Sequence, residues 1–268
     1  RSRAAHDARP SYASLRNGVV AATGVTILTL FGLLFASVIT GRALASLPQQ
    51  DAIAIEITGF QWWWEAVYLD RNPSQRVTTA NEVHVPTGRT VLLLLDSADV
   101  IHSLWIPNLH GKMDLVPGRQ NTLWLRIDEP GIYRGQCAEY CGVQHAHMAL
   151  TVIAESTAQF DAWLNGQRQT PPPPSSAEAQ HGQALFRSTT CVMCHSVRGT
   201  IAGARLGPDL THVATRGHLA AATLPNSRDN LLRWIADPQH VKPGNHMPSS
   251  DLSRRDLEAI ASYLETLR

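Results

Sequence analysis

Between Cys137 and Met148 the chain places two thiols, an imidazole and a thioether within twelve residues, spaced C-x3-C-x3-H-x2-M (Cys137, Cys141, His145, Met148). Thiolate and thioether are soft donors, and with imidazole they suit copper better than a hard cation. A mononuclear copper site built from two His, one Cys and a weak Met needs a single thiolate. With two thiolates on offer, a pair of copper ions could be bridged. A second imidazole must then come from elsewhere in the chain, and His102 is the best candidate. Three plainer fates stand beside this one. Cys137 and Cys141 could form a disulfide in an exported protein, two Cys and two His could hold structural zinc, and Met148 could be an ordinary core residue. The combination favours copper, because neither a disulfide nor zinc calls for a methionine three residues after the histidine.

The other two cysteines sit in Cys191-Val192-Met193-Cys194-His195. This is C-x2-C-H, the attachment pattern for c-type haem, in which each thiol adds across a vinyl group and the following imidazole binds iron. A thioredoxin-like redox pair or half a zinc site is the competing reading, weakened by the trailing His and by the lack of a second C-x2-C. A sixth iron ligand is needed, and Met247 is preferred because a thioether raises the potential. His246, His240 and Met193 are its rivals. With all four cysteines explained by metal or cofactor chemistry, none remains for a structural disulfide.

Several kinds of element must position these groups. The chain has 268 residues and a formal net charge of +1, which leaves no basic footprint for nucleic acid. Arg1 to Arg16 is polar and basic, and Asn17 to Gly41 then runs 25 residues without a charge. At about 1.5 Å per residue that run spans roughly 37 Å, enough for a hydrocarbon core of ~30 Å. It is also longer than the apolar region of a signal peptide. The basic flank puts the N-terminus in the cytoplasm and everything after Arg42 outside. From Ile53 the pattern turns to short strands: alternation at Ile53, Ile55 and Ile57, an apolar run from Thr90 to Leu95, alternation at Leu123, Leu125 and Ile127, and a last strand over Ala149 to Ala154. Pro-Gly punctuation between them argues for an all-β sandwich. Ser156 to Gly166 reads as a helix with a Ser156/Gln159 capping box. The four prolines 171–174 read as an extended spacer. Helices are expected over Ala177 to Arg187, over Arg228 to Ala236 behind a Ser227 cap, and after Ser253, the last with Leu257, Ile260, Leu264 and Leu267 on one face.

With its neighbours Asp99-Val100-Ile101-His102, Lys112-Met113-Asp114-Leu115-Val116-Pro117-Gly118-Arg119, Pro130-Gly131-Ile132-Tyr133-Arg134-Gly135 and Gly59-Phe60-Gln61-Trp62-Trp63-Trp64, the cysteine loop resembles cytochrome c oxidase subunit II over roughly residues 55 to 155. The stretch around Cys191, with Gly207-Pro208-Asp209-Leu210 and the Met247 loop, resembles class I cytochromes c. Together they resemble the fused subunit II of caa-type haem-copper oxidases. The resemblance implies a multidomain chain: a cytoplasmic segment (1–16), a transmembrane α-helix (17–47), an all-β cupredoxin-like Greek-key sandwich (48–155), a short helix with a Pro-rich linker (156–176) and a small all-α cytochrome c domain (177–268). A further transmembrane helix upstream of Arg1 is expected on the same grounds. The implied ligands of a binuclear copper centre, CuA, are His102, Cys137, the Glu139 carbonyl, Cys141, His145 and Met148. Cys191, Cys194, His195 and Met247 would hold haem c, and the Pro208 carbonyl would hold the His195 imidazole. The family also implies a magnesium ion at the Glu139 carboxylate, shared with subunit I, and electrons entering at a surface tryptophan matching Trp62. An aromatic packing layer is the competing reading of Trp62, Trp63 and Trp64, with Trp63 and Trp64 alternating inward and outward.

Neither site offers an obvious place for substrate on the metal, which points to an electron relay rather than bond chemistry. The expected role is that of a subunit of a proton-pumping oxidoreductase in a bacterial cell membrane. It would accept electrons from cytochrome c or another donor and pass them to haem in subunit I, with subunit III also a partner. The linker would act as a tether between the two cofactor domains. The small subunit of a CuA-containing nitric oxide reductase, a membrane-anchored copper-delivery protein and a free-standing electron carrier are the alternatives. C-x2-C-H argues against delivery, which has no use for haem.

Overall fold

The computed structural model describes residues 11–45 and 51–268. The basic residues Arg1, Arg3 and Arg9, and the end of the expected membrane helix at 46–47, lie outside the described residues. Helix α1 and the chain from residue 51 onward belong to two separate compact units.

Helix α1 spans Tyr12–Ala45, so it starts before the first residue of the charge-free run and takes in Arg16. Ser11 sets its start: the Ser11 hydroxyl accepts from the Ser14 amide at 3.2 Å, which satisfies one of the donors a helix end leaves open. Its apolar side chains are exposed on every side, Val20, Leu28, Phe31, Phe35 and Ile39 among them. Such a helix has no buried face and suits an apolar solvent. Thr26, Thr29 and Thr40 return their hydroxyls to carbonyls four residues back at 2.9–3.0 Å, so these polar groups need no outside partner. It is the one described helix long and apolar enough to cross a membrane.

The second unit begins with ten strands: β1 (Ile53–Phe60), β2 (Trp63–Tyr68), β3 (Val77–Ala80), β4 (Glu82–Pro86), β5 (Thr90–Ser97), β6 (His102–Ile106), β7 (His110–Leu115), β8 (Asn121–Arg126), β9 (Gly131–Cys137) and β10 (Ala149–Glu155). They form two five-stranded sheets, ordered β3-β2-β1-β5-β8 and β4-β10-β9-β6-β7. This is the cupredoxin-like sandwich. Alternation places Ile55, Ile57, Val91, Leu93 and Leu95 of one sheet against Val83, Val85, Leu104, Leu150 and Val152 of the other, as period-2 strands facing a common core require.

Helix α2 (Thr157–Arg168) follows, with the Ser156/Gln159 capping box formed. Residues 170–175 have neither helix nor strand. Then come α3 (Ala177–Ser188), α4 (Cys191–Cys194), a two-residue β11 (His218–Leu219) paired with β12 (Leu224–Pro225), α5 (Arg228–Ala236), α6 (Pro238–Val241) and α7 (Arg254–Leu264). Ser176, Ser227 and Ser253 each accept the amide three residues on. Phe186, Leu231, Ile235, Ile260, Tyr263, Leu264 and Leu267 build this helical core. Gly182 lets α3 cross α7 closely, since a Cβ there would fall 1.8 Å from the Ala259 carbonyl oxygen.

The helical domain is docked on the sandwich rather than hanging from a tether. Arg205 pairs with Glu65 at 2.6 Å, the Gly217 amide donates to Glu82 Oε2 at 2.9 Å, and Arg198 donates to the Gln167 and Arg168 carbonyls at the end of α2, both at 2.9 Å. Trp63 and Trp64 alternate between the two faces of β2 as expected, but the outward one is covered for this reason. Trp64 enters the sandwich core, and Trp63, on the other face, is also buried, packed with Phe60, Ala80 and Ala221 of the helical domain.

Candidate functional site

Strand β9 delivers Cys137, β6 delivers His102 beside it, and the loop between β9 and β10 brings back Cys141, His145 and Met148. The register pairs Leu104 of β6 with Cys137 of β9, so the two strands hold the first thiol and the distant imidazole at a fixed spacing. Cys137 Sγ lies 3.8 Å from Cys141 Sγ, 3.9 Å from His102 Nδ1 and 3.2 Å from the Glu139 carbonyl oxygen. Cys141 Sγ lies 3.5 Å from His145 Nδ1 and 3.8 Å from Met148 Sδ. Six donors thus face one small volume, with each imidazole nearest a different thiol. The thiols are free and too far apart for a disulfide, whose S–S length is about 2 Å. His102, Cys137 and Cys141 are all buried, with donor atoms within 4.8 Å of one another. Met148 is fully buried too, but its sulfur points at a thiol as well as at the core.

Electrostatics prepare this donor set for a cation. A hydrogen bond from Cys141 pushes the Cys137 thiol down to about 3, burial opposes this, and His102 and the local backbone add to it. Cys141 is driven the opposite way, chiefly by that same hydrogen bond to Cys137, with burial and the neighbouring negative charge acting in the same direction. Two adjacent buried thiolates therefore require positive charge between them. Burial acts against the His102 cation, but the bonds to Asp99 and Cys137 outweigh it and the net shift is upward. His102 Nε2 meets Asp99 Oδ1 at 2.8 Å. That bond turns Nδ1 toward the thiol, the usual way a carboxylate orients a metal-binding imidazole.

The second site lies in the helical domain. Cys191 and Cys194 open and close α4, and His195 follows at its C-cap. His195 Nδ1 bonds the Pro208 carbonyl at 2.8 Å, so Nδ1 carries the proton and the Nε2 lone pair is left for a metal. Burial lowers the His195 pKa, with the Pro208 carbonyl partly offsetting it, and keeps the ring in the neutral form that binds metal. Gly207 seats the imidazole face: a Cβ there would lie 2.8 Å from His195 Cε1. These features fit an iron-bound histidine. Met247 is half-buried, its backbone held by Asn245 Oδ1 at 2.8 Å and Gln239 Nε2 at 2.7 Å. Its rival His246 turns toward the sandwich, with its ring 5.2 Å from Trp62. Met193 is 65% exposed on α4.

Trp62 is 7% exposed. The expected surface tryptophan is therefore a covered one, because the docked helical domain lies over it. Its indole Nε1 donates to the Cys141 carbonyl at 2.9 Å, and Gln61 Nε2 donates to the same oxygen at 2.7 Å. Glu139 is half-buried. The supporting roles of Asp99, Gln61 and Gln136, whose Nε2 reaches the His145 and Met148 carbonyls at 3.1 and 3.2 Å, carry weak sequence signals. The best of them is an acid three residues before the candidate histidine.

Residues 68–155 match the family described as cytochrome c oxidase subunit II, periplasmic domain, and residues 179–268 match the cytochrome c family. Cytochrome c oxidase subunit 2 of Alkalihalophilus pseudofirmus is 39% identical over 219 residues, covering 81% of this chain and 62% of the relative. Cytochrome c oxidase subunit 2 of Bacillus sp. (strain PS3) is 32% identical over 265 residues, covering 92% of this chain and 73% of the relative. The chain thus spans about two thirds of the length of these relatives. The periplasmic domain of subunit II of cytochrome oxidase from Bradyrhizobium japonicum aligns with 46% of this chain and 96% of its own, at 28% identity and a TM-score of 0.42.

Proposed function

The chain belongs to the cytochrome c oxidase subunit II family, and on that footing we propose that it is the electron-receiving subunit of a haem-copper oxidase that reduces oxygen to water and pumps protons. Its partners are subunit I, which takes the electrons, subunit III, and a cytochrome c or similar donor. Helix α1 anchors it in a bacterial cell membrane with the N-terminus cytoplasmic and the sandwich and helical domain on the periplasmic or extracellular side.

In this reading His102, Cys137, the Glu139 carbonyl, Cys141, His145 and Met148 hold a binuclear copper centre, and Cys191, Cys194, His195 and Met247 hold haem c. When bound, both groups supply one-electron chemistry without a coordination position open to substrate. The chain's own residues do the rest. Asp99 and the Pro208 carbonyl fix the two imidazole tautomers. The stiff β6–β9 pair holds the copper donors at set distances, which keeps rearrangement small when charge changes. Burial of Cys137, Cys141 and Met148 excludes water. The Glu139 carboxylate is assigned to a magnesium ion shared with subunit I, and Trp62 to electron passage.

The observation that carries this reading is the convergence of five soft or borderline donors and one backbone carbonyl around Cys137 and Cys141 in the same compact unit as a haem-attachment motif. Metal analysis of the full chain should give two coppers and one haem. Cys141→Ser should abolish the two-copper spectrum while haem stays attached. Zinc in place of copper, or a mixed-valence copper signal surviving in Cys141→Ser, refutes it. Oxygen and nitric oxide consumption by the complex purified with its partners separates an oxidase from a nitric oxide reductase.

A further inference from the structure

The chain contains only two lysines, Lys112 and Lys242, among 23 basic residues. Lys242 is 3% exposed. Its Nζ donates to the Trp62 carbonyl of the sandwich at 3.0 Å and to the Ala220 carbonyl of the helical domain at 3.4 Å. No carboxylate is paired with it among the described residues, and burial pushes its pKa down to about 8. A buried ammonium held only by carbonyls is costly and needs a reason.

The surroundings supply one. Ala220, Ala221 and Ala222 all have positive φ, at 53°, 56° and 57°, a left-handed conformation that non-glycine residues seldom adopt in succession. The run turns all three carbonyls to interdomain or latch donors: Ala220 to Lys242, Ala221 to the Ala149 amide at 3.3 Å and Ala222 to Arg134 at 3.4 Å. Beyond Lys242, the Pro243 carbonyl accepts from Gln144 Nε2 in the copper loop at 2.7 Å. Gly244 lies against Val143, where an added Cβ would be 3.0 Å from Cγ2. The next side chains are His246, with its ring 5.2 Å from the Trp62 indole, and Met247.

We propose that Lys242 is a positioning residue for electron transfer between the two domains, holding the Met247 loop on the copper loop so that His246 meets Trp62 and, through the indole N–H, the Cys141 carbonyl. The proposal rests on the relay reading above. One electron moves per event, oxidising ferrous haem and reducing the copper pair by one, with no bond made or broken. Because Trp62 is covered by the chain's own helical domain, this bridge serves the internal donor, and an external donor reaches the haem instead.

The test uses the full chain, loaded with haem and copper. Flash reduction of the haem, followed by optical detection of copper reduction, gives the internal transfer rate; both midpoint potentials are measured alongside. Lys242→Met keeps the side-chain length and removes the bonds. It should slow transfer by up to roughly a hundredfold, the scale on which misplacements of about 1 Å act in positioned reactions, with both optical spectra unchanged. Hydrogen exchange in the copper-free chain should rise at 61–64 and 239–247 while each domain's interior stays protected. His246→Leu, at an exposed position that leaves both ligand sets intact, should slow transfer too, and the double variant should be no slower than the slower single one. Wild-type transfer in Lys242→Met or in His246→Leu overturns the proposal and leaves the relay standing. No internal transfer in the wild-type chain overturns the relay and the proposal with it.

Discussion

Gly59→Ala should damage the copper site without touching a ligand. Gly59 lies in β1 and faces His102 of β6 across the sandwich. A Cβ at 59 would sit 2.8 Å from His102 Cδ2, 3.0 Å from Cγ and 3.3 Å from Cβ. Ordinary contact begins near 3.4 Å, so the imidazole would have to retreat by about 0.6 Å. It has little freedom to do so. His102 is fully buried, its Nε2 is bonded to Asp99 at 2.8 Å, and the Trp64 ring is centred 6.0 Å away. Overpacking of this kind costs about 1–3 kcal/mol. If all of it falls on the copper-bound arrangement, affinity drops roughly 5- to 150-fold. Copper titration of the purified full chain, followed by absorbance and electron paramagnetic resonance, measures the loss, and a thermal melt measures any share taken by the fold. Gly111→Ala is the control, because a Cβ there meets nothing within 4 Å. Wild-type copper affinity and spectrum in Gly59→Ala, or an equal loss in Gly111→Ala, would refute the argument.

Met247→Ala should leave haem covalently attached through Cys191 and Cys194 but open its sixth position; if carbon monoxide binds no better afterwards, Met247 is not the ligand. Gly182→Ala should lower the stability of the helical domain by roughly 1–3 kcal/mol in thermal unfolding. The added methyl meets the Ala259 backbone, and the helix-propensity gain of about 1 kcal/mol cannot offset a backbone collision; an unchanged melt would show that α3 and α7 do not cross as described. Docking should weaken in acid through Glu82. Burial raises its pKa, but bonds from His84 and the Gly217 amide, with Arg216 nearby, outweigh this and the net shift is downward. A carboxylate so lowered contributes stability that is present above its unfolded value of about 4.3 and lost as pH falls through the docked value. Exchange protection of the Gly217 amide should therefore drop below about pH 4.3, and Glu82→Gln should flatten that dependence. His84 and, through it, Glu155 share this cluster, and a profile unchanged in Glu82→Gln would refute the assignment to Glu82.

The chemistry was legible in the chain because it is written in local spacing. C-x3-C-x3-H-x2-M and C-x2-C-H place their donors within one loop or one turn, so residue type and interval carry most of the geometry. Strands β1, β5, β8 and β10 and the helices α2, α3, α5 and α7 were legible for the same reason, since period, cap and turn residue are local properties. Even His102 could be named ahead of the fold, though its register with Cys137 is a matter of which strands pair. What the tertiary structure alone decided is everything that depends on the second domain landing on the first. A polyproline stretch reads as a tether whether or not its two ends are docked. Trp62 and Trp63 read as exposed or alternating because nothing near them in sequence shows that Ala221, Lys242 and His246 will cover them. Lys242 reads as one more surface cation. Its burial against the Trp62 carbonyl comes from a contact across 180 residues of chain, and no local pattern encodes a contact whose partner is set by how two finished surfaces fit.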